Sequence, residues 1–250
     1  MRYFIELAYK GTNYHGWQIQ PNAISIQECI QKAFSTILRE NIEVFGAGRT
    51  DAGVHAEQLF AHFDFSSTIN TEEILYKVNS ILPSSITVFE IFKVKDDAHA
   101  RFNAVSRSYE YRILLGRNPF KTDTTWQLIN KKLNIEKMNE AAQILLTYTN
   151  FQCFSRSNTA VKTYNCKVVN AEWKLKDNSL IFHISADRFL RNMVRAIVGT
   201  LIDVGEGKTT IEQFIKIIKS KDRCKAGTSA PAHGLFLTNV TYPKSILINE

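Results

Sequence analysis

The sequence predicts an α+β protein made of two fused α/β subdomains, each a mixed or antiparallel sheet flanked by helices. Three observations predict it. Short runs rich in aromatic and β-branched residues alternate with segments whose apolar residues recur at helical spacing. Strand-like runs follow one another with no helix between them at 42–48 and 57–65, and at 163–175 and 178–186 with only a turn between, as antiparallel pairs do. No GxGxxG or Walker A string is present to favour a doubly wound parallel sheet. With 250 residues, 44% of them hydrophobic, the chain can bury one large core or two smaller fused ones.

Each element has its own justification. RYFIELAY (2–9) is a strand ended by Lys10-Gly11. Residues 25–41 are a helix opened by a Ser25/Glu28 capping box, with Ile26, Ile30, Ala33, Phe34, Ile37 and Leu38 on one face. IEVFGAG (42–48) is a second strand running into a glycine-rich stretch, and EQLFAHFDF (57–65) a third, alternating apolar and polar residues. A helix over 71–82 opens at Asn70 with Glu73, and ITVFEIFKV (86–94) closes the first half as a strand. In the second half, 108–115 is a strand and 135–148 a helix built on Ile135, Met138, Ala142, Leu145 and Leu146. Strands at 163–175 and 178–186 meet at the turn dipeptide Asp177-Asn178. A helix over 188–203 stops at Gly205. Another over 210–220 starts with a Thr210/Gln213 capping box, and 234–242 is the last strand. The expected subdomains are 1–105 and 106–250.

Composition narrows the function. Cys29, Cys153, Cys166 and Cys224 are scattered and no CxxC or HxxxH pair occurs, so neither a structural zinc nor a disulfide framework is expected. The N-terminus lacks a basic segment followed by an apolar one, and three arginines interrupt the longest apolar stretch, residues 188–204. A soluble cytoplasmic protein with no membrane partner is the expectation. Net charge is +7, distributed as −3 over residues 1–105 and +10 over 106–250. That asymmetry points the basic half at a polyanion.

GAGRTDAGVHA (46–56) concentrates small and charged residues after a strand. Arg49 stands two residues before Asp51, on the same side of an extended segment. Two readings stand: a loop salt bridge, or a carboxylate kept ionised by a cation and placed to act as nucleophile or base. His55 reads as structural. Further on, Arg188, Arg191 and Arg195 fall at i, i+3 and i+7, one stripe of the expected helix. Arg195 lies between Val194 and Ala196-Ile197 at the edge of an apolar face, where an arginine needs an anion. Tyr109 and Tyr111 alternate with Glu110 and Arg112, as core aromatics or as a platform for stacking a base.

Taken together, GRTDAGVHA (48–56), ARFNAVSRSYEYRI (100–113), FLRNMVRAIVGTL (189–201) and APAHGLFL (230–237), with the opening ELAYKGTNYHGWQIQP (6–21), resemble the TruA family of tRNA pseudouridine synthases over essentially the whole chain. The resemblance implies the pseudouridine synthase fold with an active-site cleft between its subdomains. It implies uridine-to-pseudouridine isomerisation at tRNA positions 38, 39 and 40 in the anticodon stem-loop, without cofactor or metal, by a homodimer. Asp51 matches the family's catalytic aspartate, Arg195 its ion-pair partner, and Tyr109 the tyrosine lying against the target base. Arg49 matches a residue that occupies the vacated nucleotide position or contacts the RNA backbone, and Leu235 an apolar residue of the pocket wall. Arg188 and Arg191 are candidates for the RNA backbone. Arg191-Asn192 stands where other members often carry an aromatic or histidine. Two other readings of the residues remain open: a non-catalytic RNA-binding module on the same scaffold, and a phosphate-binding enzyme built on the glycine-rich loop.

Overall fold

A computed structural model describes residues 1–157 and 161–248 and divides the chain into two compact units. One comprises Met1–Val105 together with the chain from Leu237, the other Ser106–Phe236.

The first unit is built on β1 (Arg2–Tyr9), which pairs antiparallel with both β3 (His55–Asp64) and β4 (Ile86–Val94). A two-residue strand, β2 (Phe45–Gly46), pairs antiparallel with β3. β1 carries apolar residues on both faces because both are covered. On one side α1 (Ile26–Leu38) brings Phe34 to 4.8 Å from Phe63, which stacks in turn on Tyr3. On the other, Phe4 packs with Val94, Ala98, Ala100 and Ile246. α2 (Thr71–Ile81) begins as expected, with the Asn70 side chain accepting the Glu73 N–H.

Three expectations in this unit are corrected. The first helix stops at Leu38, with Arg39 left-handed at φ 55°. The strand expected over 42–48 shrinks to Phe45–Gly46, because side chains of α1 take its backbone groups first. Ser35 Oγ accepts the Ile42 N–H, Gln31 Oε1 accepts the Val44 N–H, and Gln27 Nε2 donates to the Val44 carbonyl. The C-terminal segment, expected in the second subdomain, also belongs here. Val240 N–H donates to Gln58 Oε1, and Tyr242 OH donates to the Ala100 carbonyl. This transfer moves Lys244 and Glu250 together and so leaves the charges of the two parts at −3 and +10.

In the second unit β5 (Ser106–Leu115) pairs antiparallel with β8 (Ser179–Ala186), and β8 with β7 (Val168–Lys176). The β7–β8 turn has Asp177 left-handed at φ 53°, as its turn dipeptide allows. A short strand not foreseen in the sequence, β6 (Trp126–Leu128), adds parallel to β5 and makes the sheet mixed. α3 (Ile135–Ile144) ends four residues early and tightens into a 3-10 turn over Leu145–Thr147. The Asn139 side chain clamps it to β7 by bonding both the N–H and the carbonyl of Trp173. β7 starts at Val168 rather than 163, since the residues before it bond elsewhere: the Tyr164 carbonyl accepts the Phe151 N–H and the Cys166 N–H donates to the Thr149 carbonyl.

α4 (Met193–Gly205) is buried along most of its length, and α5 (Ile211–Ser220) opens on a complete Thr210/Gln213 capping box. β9 (Leu235–Thr241) carries the chain from the second unit back to the first. No helix among the described residues is long and apolar enough to cross a membrane.

Candidate active site

The GRTDAGVH segment is positioned by residues 9–17 of the first unit. Entering from β2, the Ala47 N–H donates to the Phe60 carbonyl at 2.7 Å. Thr50 is held twice: Tyr9 OH pairs with its hydroxyl at 2.8 Å, and its carbonyl accepts the Trp17 N–H at 3.2 Å. Beyond Asp51 the chain turns, with the Val54 N–H donating to the Asp51 carbonyl and the Gly53 N–H to the Tyr14 carbonyl. Gly16 is the pressure point. A Cβ there would stand 2.4 Å from the Thr50 carbonyl oxygen, and its φ of +90° disfavours any side chain. So short an approach lets the loop hold Asp51, half-buried, in a defined backbone setting.

His55 is buried and its Nδ1 accepts the Gly11 N–H at 3.0 Å, so it serves the scaffold, as expected. Arg49 is exposed and forms no ion pair among the described residues. The loop salt bridge between Arg49 and Asp51, one of the two sequence readings, is therefore absent.

The second unit gathers the other motifs. Arg195 on α4 donates through Nε to the Ala230 carbonyl at 2.7 Å, and its own carbonyl accepts the Ala230 N–H at 2.9 Å. The segment lies this close because Gly199 has no side chain: a Cβ there would meet the Thr228 carbonyl oxygen at 1.8 Å. Thr200 Oγ1 accepts the Gly227 N–H, and Arg223 holds the carbonyls of Ala226 and Gly227 and the hydroxyl of Ser229. Tyr111 is fully buried and donates to the Pro231 carbonyl at 2.8 Å. Burial raises its hydroxyl pKa, against the lowering effect of Arg195. His233 is pushed down by burial, which keeps it neutral near pH 7. Leu235 follows as the buried first residue of β9. Tyr109, two residues before Tyr111 on the same face of β5, meets Phe189 edge-on at 5.1 Å.

Of the two tyrosines, Tyr111 is thus a core residue, and Tyr109 is partly exposed. Sequence reasoning missed the supports: Gly16, Thr50, the Ala230 carbonyl, Phe189 and His233. Each had only one signal, its position inside one of the quoted motifs.

One site expectation is overturned. Arg188, Arg191 and Arg195 do not form a helical stripe, because α4 begins at Met193. Asp187 Oδ1 accepts the Arg188 N–H, the Arg191 carbonyl accepts the Arg156 N–H, and Asn192 is left-handed at φ 67°. Arg188 and Arg191 therefore lie on the loop before the helix. Only Arg195 projects from α4.

The tRNA pseudouridine synthase A of Bacteroides thetaiotaomicron is 53% identical over 252 residues, spanning all of this chain and 93% of its own. The chain belongs to the tRNA pseudouridine synthase A family. The Bacteroides fragilis member is 54% identical over 98% of both chains. A member from a Thermoanaerobacter species is 40% identical over 95% of this chain and 98% of its own. The family model described as tRNA pseudouridine synthase matches residues 141–243, from the end of α3 through β9. Among solved structures, one titled "Crystal Structure of a Cbf5-Nop10-Gar1 Complex" overlaps 94% of this chain and 57% of its own, at 14% identity and a TM-score of 0.35.

Proposed function

We propose that this protein isomerises uridine to pseudouridine at positions 38, 39 and 40 of the tRNA anticodon stem-loop, with Asp51 as its essential carboxylate. The observation that carries the reading is end-to-end membership of a family named for this activity, through an intact GRTDAGVHA segment whose aspartate sits in a closely held turn. The reaction breaks the bond between N1 and C1′ of the target nucleotide, turns the base, and joins C5 to C1′. The hydrogen on C5 leaves as a proton and N1 gains one, so atoms balance with no redox partner or group donor. No cofactor is required by that balance. The Asp51 carboxylate serves by acting on the sugar or by adding to C6 of the base.

Reaching those atoms requires the nucleotide to leave its stack, at a cost of a few kcal/mol. In this reading Arg195 supplies the cation that keeps Asp51 ionised, Tyr109 lies against the extruded base, and Leu235 forms an apolar wall. Arg49 contacts the RNA backbone or the vacated position, and Arg188 and Arg191 contact phosphates. The excess of +10 in residues 106–250 supports binding to a polyanion such as tRNA. In this reading the protein binds it as a homodimer.

Release of tritium from tRNA whose uridines carry it on C5 tests this. The protein is expected to release label, and Asp51→Ala to lower the rate by at least about 10²-fold while remaining folded. Undiminished release by Asp51→Ala would remove the mechanism, and an inactive wild type on every tRNA would remove the function.

A further inference from the structure

Beside the GRTD segment, wholly within the first unit, lies an open groove of about 320 Å³ whose lining includes Phe45, Arg49, His99, Arg101 and Phe102. Two of these are large apolar side chains that the fold leaves in water: Phe45 is 45% exposed and Phe102 75%. They are joined through a run of rings. Phe45 stacks on His62 at 5.3 Å, His62 meets His99 at 4.5 Å, and His99 meets Phe102 at 4.3 Å. The run passes through the buried His62 and has an exposed phenylalanine at each end, so core packing does not explain its outer rings.

The exposed ring is also ordered in advance. A tight turn carries it: the Asn103 N–H donates to the His99 carbonyl, the His99 N–H to Asn103 Oδ1 at 2.6 Å, and the Arg101 N–H to His99 Nδ1 at 3.1 Å. Because Nδ1 accepts, the neutral imidazole carries its proton on Nε2 and presents a donor. Burial, with Arg2 and Arg101 nearby, holds His99 below the ordinary histidine value, so this neutral form prevails at pH 7. Arg101 lies 5.8 Å from the centre of the Phe102 ring, and Arg49 lines the same groove. The residues lining the groove include two arginines and no carboxylate, in a part of the chain whose net charge is −3.

Flat exposed rings, a neutral imidazole donor and two arginines suit one occupant: a planar heterocycle attached to an anion. We infer that this groove is a subsite for one unstacked nucleotide of the RNA next to the one Asp51 acts on, its base against Phe102 and its phosphate toward Arg49 and Arg101. The inference rests on the functional reading above and extends it, since Phe45, His99, Arg101 and Phe102 have no part there and only Arg49 is shared. Aromatic stacking tolerates any base, so the subsite reads that a nucleotide is unpaired and not which one it is.

The test uses anticodon stem-loop RNAs in which single loop positions carry the fluorescent base 2-aminopurine, which is quenched on stacking. The wild type is expected to quench one loop position. Phe102→Ala, whose side chain is mostly in solvent, is expected to keep its thermal midpoint, lose that quench and bind roughly 10-fold more weakly. Phe102→Trp restores both. Unchanged quench and affinity in Phe102→Ala would overturn the subsite, as would a change in oligomeric state without any change in RNA binding. Hydrogen release from labelled tRNA, run alongside, separates the two ideas. Release by the wild type with no quench difference sinks the subsite alone, whereas a Phe102-dependent quench without release sinks the isomerase reading and leaves the subsite standing.

Discussion

At the scale of single residues, Gly16 and His62 show how a few atoms set the character of the first unit. Any side chain at 16 meets the Thr50 carbonyl and must also adopt a φ of +90°. Gly16→Ala is therefore expected to lose at least about 1–2 kcal/mol from the backbone conformation alone. Because the displaced atoms belong to the residue before Asp51, turnover on tRNA should fall more steeply than the melting temperature, in paired activity and calorimetric measurements. His62 is buried, its Nδ1 accepts the Ala100 N–H, and burial together with Arg2 lowers its pKa from 6.5 to about 4. Between those values the unfolded chain binds a proton that the folded chain refuses. Stability is then complete above about pH 6.5 and declines as pH falls toward 4. Urea midpoints across that range should show the decline, and His62→Gln should flatten it. Asp51 could be singled out as a candidate from its string, but neither the pressure from Gly16 nor the neutrality of His62 was legible there. Both arise from residues more than thirty positions away.

At the scale of elements, the starts of helices were readable because a cap is a local hydrogen bond. Asn70, Asn134 and Thr210 each accept the N–H three residues on. Thr210→Ala should lower stability by about 1 kcal/mol, read from denaturant unfolding. The exception is α4, where apolar spacing continues back through Leu190 and Phe189 and conceals the true beginning. Asn192 breaks the helix there by a left-handed backbone and a 2.6 Å bond from its amide to Ser229. Asn192→Val, which loses that bond and resists positive φ, should melt below Asn192→Gly, which loses only the bond. Strand ends were misjudged for a similar reason. Residues 42–44 have strand composition, yet glutamine and serine side chains of α1 occupy their backbone groups.

At the scale of the whole molecule, charge is the property that sequence and structure share most directly. The −3 and +10 division holds whether the last strand is counted by chain order or by the unit it joins. If phosphate contacts dominate tRNA affinity, the logarithm of the binding constant should fall linearly with the logarithm of salt. Neutralising Arg188 and Arg191 together should reduce that slope by about 1–2. Filter binding at several salt concentrations measures it, and an unchanged slope would exclude these two arginines as backbone contacts.

By itself the sequence determined what depends on neighbours in the chain: the helix caps, the alternation of strands, the turn at Asp177, and the ordered motifs that mark the family. Only the tertiary structure decided where α4 begins, that residues from 237 onward return to the first unit, and that Phe45, His62, His99 and Phe102 form one run of rings. Apart from the local His99–Phe102 pair, those outcomes rest on hydrogen bonds and ring contacts between residues far apart in the chain. Local propensity carries no record of such partners, because the energy that selects them exists only once the distant segments have met.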